Sequence, residues 1–300
     1  MNFNQVLLIV NPISGDLDKK QIIQQAREYA NTHQITIHLF ATTGEEDVEK
    51  IQDRLDSLKI ERIIAIGGDG TINLVAKAIK SYGIPLGIIP AGSANGLATN
   101  FGIPESIEEQ VKIAFGDTIF EMDLLNINDD ICLHLSDLGI NAELIQNYED
   151  SRFRGKFGYL LQSLPTLLKS EYPFEFEVET NFKKRQTSGA LLAIANANKY
   201  GTGANINPNG KLDDGKFEII IYRKLDLAEI IKTVRNETDV NSDVVEIFQA
   251  SEAKITCKTP VAFQIDGEFK GENSEVKIGI MEEKLKVVVP AEFNSQAPQA

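Results

Sequence analysis

No stretch of the sequence runs to eighteen apolar residues, so a membrane-spanning helix is not expected. Basic residues are in the minority. Thirty Lys and Arg stand against 44 Asp and Glu, a formal net charge of −14, the sign opposite to that of a nucleic-acid binder. The same charge repels anionic lipid weakly at a distance, so any membrane contact has to be local and modest. Cysteine is scarce too: Cys132 and Cys257 make neither a metal pattern nor a disulfide framework, which fits a reducing cytoplasm. The three histidines, His33, His38 and His134, are scattered and share no ligand spacing. No positive charge precedes the first apolar run, residues 6–10, which is too short for a signal-peptide core and is expected to be a strand.

Several signatures are missing as well. There is no Gly-x-x-x-x-Gly-Lys-Ser/Thr, which excludes a P-loop, and no Gly-x-Gly-x-x-Gly after the first strand, which argues against a dinucleotide-binding Rossmann unit. The protein-kinase set of Val-Ala-Ile-Lys, His-Arg-Asp and Asp-Phe-Gly is lacking, and so is the Gly-x-Ser-x-Gly of a serine hydrolase.

What remains is a chain of 300 residues, 42% hydrophobic, long enough for two domains and a sizeable core. Its first 120 or so residues alternate strand and helix. Strands are expected at 6–10, 35–40, 62–66 and 85–89, with helices at 20–32, 47–58 and 72–82. This alternation implies βαβ units and a parallel sheet, with ligands bound at the carboxyl ends of the strands. Beyond Asp123 the pattern turns to period two. Strands are expected at 174–180, 191–195, 217–222, 254–257, 261–265, 276–280 and 285–289, and only 156–169 and 225–236 read as helices. The reading is α/β overall, with domains at 1–124 and 125–292 and a frayed tail at 293–300.

The sharpest local signal is Gly67-Gly68-Asp69-Gly70-Thr71-Ile72-Asn73, set between a strand and a helix. Glycines there let main-chain N–H groups crowd a phosphate chain, and the following helix turns its positive end toward it. Asp69 beside phosphate calls for a cation between them, and Mg²⁺ suits because it takes carboxylate and phosphate oxygens together. A second loop of the same construction, Pro90-Ala91-Gly92-Ser93-Ala94-Asn95-Gly96, follows one crossover later; Ser93 and Asn95 could donate to phosphate or to an adenine edge. Asn11-Pro12-Ile13-Ser14-Gly15 would form a third wall, and is equally an ordinary strand-ending turn.

Together these segments resemble the bacterial diacylglycerol/sphingosine kinase family of lipid kinases. The likeness continues through 198–203, 208–215 and Asp266-Gly267-Glu268, and so spans nearly the whole chain in order. The resemblance implies an N-terminal three-layer α/β nucleotide-binding domain, NAD kinase-like, followed by a C-terminal antiparallel β-sandwich. It implies ATP and Mg²⁺ as cofactors and transfer of the γ-phosphate to the hydroxyl of diacylglycerol or a sphingoid lipid. It also implies a cytoplasmic protein in transient peripheral contact with membrane, and leaves room for a homodimer. Asn11, Thr42, Gly67, Gly68, Asp69, Gly70, Thr71, Asn73, Gly92, Ser93 and Asn95 are the nucleotide-site residues carried over, with Asp69 also placed in the chemistry. Glu268 matches the base that takes the lipid hydroxyl proton. Its local alternative is a plain Asp-Gly hairpin bearing a solvated Glu. Asp214, with the carbonyls of Lys211 and Lys216, matches a structural Mg²⁺ site, or else a turn at a strand start. Thr43 competes with Thr42 for the phosphate-touching register, and Glu46-Asp47 stands where the family has Gly-Asp. Residues 152–157 interleave basic and aromatic side chains that could touch anionic groups or simply open a helix. Other functions weighed are an NAD kinase, another small-molecule kinase of the same loop type, and a non-catalytic relative.

Overall fold

The computed structural model describes residues 3–15, 18–93, 95–149, 173–197, 199–200, 204–205, 207, 210–224 and 244–293. The chain divides into two units, Met1–Asp123 with Glu282–Ala300, and Leu124–Met281.

In the first unit, β-branched runs bounded by polar turns make strands that, the edge strand at Thr36–Ala41 apart, are buried on both faces, as a parallel sheet covered by helices requires. In chain order the elements are β1 (Gln5–Val10), α1 (Lys19–Thr32), β2 (Thr36–Ala41), α2 (Asp47–Ser57), β3 (Arg62–Gly67), α3 (Asp69–Ile79), β4 (Leu86–Pro90), α4 (Gly96–Asn100), α5 (Ile107–Ala114) and the first part, to Asp123, of β5 (Ile119–Ile127). The sheet runs β4-β3-β1-β2, all parallel, with Leu8 facing Leu39 on one side and Ile64 on the other. Val6, Leu8 and Val10 pack with Ile22 and Ala26 of α1 and Val111 of α5 on one face. By the strand's period of two, Leu7 and Ile9 point to the opposite face, and α3 packs against β3. Asp18 caps α1, its carboxylate accepting the Lys20 N–H at 2.9 Å.

The second unit is antiparallel. It holds β6 (Asp130–Cys132), β7 (Leu135–Gly139), α6 (Ile140–Glu149), β8 (Phe174–Thr180), β9 (Lys184–Gly189), β10 (Leu191–Ala195), β11 (Lys199–Tyr200), β12 (Ala204–Asn205), β13 (Phe217–Tyr222), β14 (Val245–Ala250), β15 (Glu252–Ile265) and most of β16 (Glu268–Val288). One layer runs β14-β13-β10-β7. β15 belongs to two layers: residues 253–257 pair with β8, residues 263–265 with β7, and its register shifts between Thr256 and Val261. A bulge that bends the strand lets one segment serve both. Leu138, Val178, Leu192, Ile219, Ile255 and Phe263 lie in the core so enclosed.

By contact, residues 282–293 group with the first unit, Val287 pairing parallel to Leu86. Two expectations are corrected. Phe293 is not frayed: its ring meets Phe101 and Phe120 at 5.5 and 5.2 Å between centroids. The second unit contains the helix α6, which the sequence reading did not foresee. The expected helices at 156–169 and 225–236 lie outside the described residues.

Candidate functional site

Parallel strands end together, so the loops after β1, β2, β3 and β4 share one edge of the first unit's sheet. These loops are stitched to one another. Ala91 N–H donates to Gly67 O at 2.8 Å and Asn11 N–H to Ile66 O at 3.1 Å. Ser14 Oγ reaches Asn11 O at 3.2 Å, and Lys19 Nζ donates to Ser14 O and, at 3.1 Å, to Ala91 O. Gly15 has a positive φ of 54°, and a Cβ on it would lie 2.6 Å from Ala91 O, so this junction admits no side chain.

The glycine loop makes a tight strand-to-helix turn. A Cβ on Gly67 would collide with the Thr71 side chain. Thr71 and Ile72 N–H groups close back on Gly68 O at 2.9 and 3.1 Å. Among the described residues no hydrogen bond engages the N–H groups of Gly68 or Gly70 at the amino end of α3, where the helix dipole is positive. Thr71 is buried, with no described partner for its hydroxyl oxygen, and Asn73 is buried two residues on. These groups fit a phosphate.

Asp69 ties two loops together. Its two carboxylate oxygens accept the Gly96 and Leu97 N–H groups at 2.9 and 3.1 Å, tying the glycine loop to the start of α4. Asn95 likewise works inside its loop: its amide accepts from Gly92 N–H at 3.0 Å and donates to Gly92 O at 3.2 Å, while Ser93 is exposed. Thr42 N–H continues the β1 ladder at Val10 O, 2.9 Å. Beside it Asp47, nearly fully buried, accepts from Thr43 N–H at 3.0 Å and Gly44 N–H at 2.8 Å. Burial pushes its carboxyl up, but these donors outweigh that and hold it below the usual range.

In the second unit Glu268 follows a two-residue turn. Asp266 and Gly267 both have positive φ, 50° and 86°, and Ile265 pairs with Glu268, the geometry of a type I′ hairpin. The Asp266 carboxylate accepts the N–H groups of Leu133, His134 and Leu135 at 2.7, 2.9 and 3.1 Å. Its pKa is raised because burial exceeds the help of those donors. Gln264, fully buried, bonds Gly267 N–H through Oε1 at 2.7 Å and Asp137 through Nε2 at 2.5 Å. Asp137 has no exposed surface, and burial lifts it to about 7 against the hydrogen bonds from Asn141, Gln264 and Ala142. His134, buried likewise, is pushed down to about 4. The Glu268 side chain is about half exposed, with Lys270 Nζ at 3.2 Å, and the same ammonium lies 3.3 Å from Asp130.

Asp214 accepts the Lys216 N–H at 3.1 Å, and Asp214, Lys211 and Lys216 are all exposed. No group of three acidic, His or Cys side chains able to hold a metal occurs among the described residues. Residues 152–157, 198 and 201–203 lie outside them. The structure thus gathers the first unit's expected residues on one sheet edge and sets Glu268 and Asp214 in the second. Asp137 and Gln264 escaped the sequence reading; the signal was a carboxylate inside the apolar run Leu135-Ser136-Asp137-Leu138.

The diacylglycerol kinase catalytic domain family matches residues 5–127, and the YegS C-terminal NAD kinase beta sandwich-like domain family matches residues 136–289. The chain is 26% identical over 284 residues to the "Probable lipid kinase YegS" of Salmonella newport (strain SL254), covering 92% of this chain and 94% of that protein. A diacylglycerol kinase structure from Bacillus anthracis strain Sterne superposes with a TM-score of 0.75 at 19% identity, covering 98% of this chain and all of that one. An NAD kinase from Archaeoglobus fulgidus in complex with ATP gives a TM-score of 0.53 at 12% identity, over 96% and 94% of the two chains. With an α/β amino-terminal domain and a carboxyl-terminal β-sandwich matched in order, this chain belongs to the YegS and diacylglycerol kinase family of lipid kinases.

Proposed function

We propose that this protein transfers the γ-phosphate of ATP to the hydroxyl of a diacylglycerol, taken from a membrane surface in transient peripheral contact. No described helix is long and apolar enough to cross a membrane, and a net charge of −14 makes such contact local. The observation that carries the reading is the amino end of α3, where the N–H groups of Gly68 and Gly70 meet no acceptor among the described residues and the Thr71 hydroxyl oxygen is buried with no described partner. That cradle suits the phosphates, with Asn11, Thr42, Asn73, Gly92, Ser93 and Asn95 on the same edge.

Bound Mg²⁺ would neutralise the phosphate oxygens. Asp69 is the carboxylate nearest to hand, and it would hold the ion with whatever acceptor capacity its two N–H donors leave. Glu268 takes the hydroxyl proton as the oxygen attacks the γ-phosphorus and the bond to the bridging oxygen of ADP breaks. Phosphoryl transfer has a loose transition state, so a half-exposed carboxylate suffices by orienting the hydroxyl and accepting its proton late. Asp214 with the carbonyls of Lys211 and Lys216 is the proposed structural Mg²⁺ site.

The test is purified protein with Mg-ATP and a panel of diacylglycerol, sphingosine, ceramide and NAD. Phosphorylated diacylglycerol is expected. Phosphorylation of NAD alone, or turnover of nothing in the panel, would overturn the reading.

A further inference from the structure

The turn that presents Glu268 is held by the Asp266 carboxylate and, at Gly267, by one buried amide. Gln264 Oε1 accepts the Gly267 N–H at 2.7 Å, and its Nε2 donates to Asp137 Oδ2 at 2.5 Å. An amide has two nearly isosteric orientations. The other one would set its NH₂ against the Gly267 N–H, donor to donor, and leave the buried Gln264 amide without that bond. Nothing at the Gly267 end chooses between them except the bond at stake. The choice is made at the far end, where Asp137 Oδ2 accepts from the NH₂.

Asp137 is itself held. Asn141 Nδ2 donates to the same oxygen at 2.5 Å, and the neighbouring Ser136 Oγ donates to the Gln264 main-chain carbonyl at 2.6 Å. A carboxyl with no exposed surface is costly to bury, and an apolar side chain of like size would be the cheaper occupant of this strand. We infer that Asp137, acting through the Gln264 amide, is a positioning residue for the Asp266–Gly267 turn and hence for the carboxylate of Glu268. Its consequence for turnover rests on the reading of Glu268 as proton acceptor; its consequence for the turn does not.

The experiment compares wild type, Asp137→Ala, Asp137→Asn and Glu268→Gln as full chains. Turnover is read with Mg-ATP and dioctanoylglycerol in mixed micelles, and amide hydrogen exchange at Gly267 is read by NMR. Asp137→Ala should lower kcat by roughly 10- to 100-fold, with KM for ATP within about twofold of wild type. Gly267 should exchange faster in the same variant. Asp137→Asn keeps an oxygen for Gln264 and should restore both readings. Wild-type kcat and exchange in Asp137→Ala would overturn the inference, and so would an Asp137→Asn protein as impaired as the alanine variant. Should Asp137→Ala not fold, Gln264→Met breaks the same link and is held to the same outcomes. Full turnover in Glu268→Gln would defeat the catalytic reading alone, and exchange at Gly267 would still decide the positioning link.

Discussion

Carboxylates in this protein do unlike work according to what surrounds them. Asp69 spends its charge on two N–H groups of α4, so Asp69→Ala forfeits two charge-assisted bonds and should cost about 2–4 kcal/mol of stability besides weakening ATP use. Urea unfolding would read the first effect and nucleotide titration the second; wild-type stability would show that those bonds contribute nothing. Asp137 is the opposite case, a carboxyl lifted by burial to about 7. From about pH 4, where a free aspartate ionises, up to about 7, the folded state keeps a proton that the unfolded chain has released. Its contribution to stability is therefore greatest in acid, falls as pH rises through that window, and is level above it. Asp137→Asn removes the titration. Relative to wild type, the variant should gain roughly 2–4 kcal/mol between pH 4 and pH 8 in urea unfolding. Parallel pH curves for the two proteins would contradict the placement of Asp137 as a buried acid.

At the scale of elements, local chemistry sets the ends and distant pairing sets the rest. The N-cap of α2 is Glu46, which sits at φ +52° with no side-chain cap bond, in the position where the family resemblance implies glycine. Glu46→Gly should hold stability within about 1 kcal/mol, since relief of strain offsets the freer unfolded chain, whereas Glu46→Val should cost about 1–2 kcal/mol or more. Thermal denaturation of the pair checks this, and equal losses would count against the strain. The alternation in the first unit was legible because Ile-Ile-Ala-Ile followed by Gly-Gly-Asp-Gly admits little besides a buried strand and a sharp turn into a helix. The Asp-Gly dipeptide likewise announced its hairpin. Other features, besides α6, were not legible. β9, Lys184–Gly189, is polar and owes its strand to pairing with β8. β15 joins two expected strands because a register shift lets it serve two layers. The Asp137–Gln264 bond closes over 127 residues, a separation that no local pattern encodes.

For the molecule as a whole, the proposed roles fall one to each unit: phosphates on the amino-terminal sheet edge, the proton acceptor on the carboxyl-terminal hairpin. Mg-ATP should therefore slow amide exchange in the loops at 11–15, 67–71 and 91–97. Equal protection throughout both units, or none in these loops, would speak against the assigned cradle. The central claim is transfer to lipid with Glu268 as acceptor of the hydroxyl proton. Its most direct test is formation of labelled phosphatidic acid from γ-labelled ATP and dioctanoylglycerol, by wild type and by Glu268→Gln, with ATP affinity measured alongside. The wild type should make the product, and the variant should lose at least about 100-fold in kcat while binding ATP within about twofold of wild type. Undiminished turnover in the variant, or loss of ATP binding in step with activity, would contradict it.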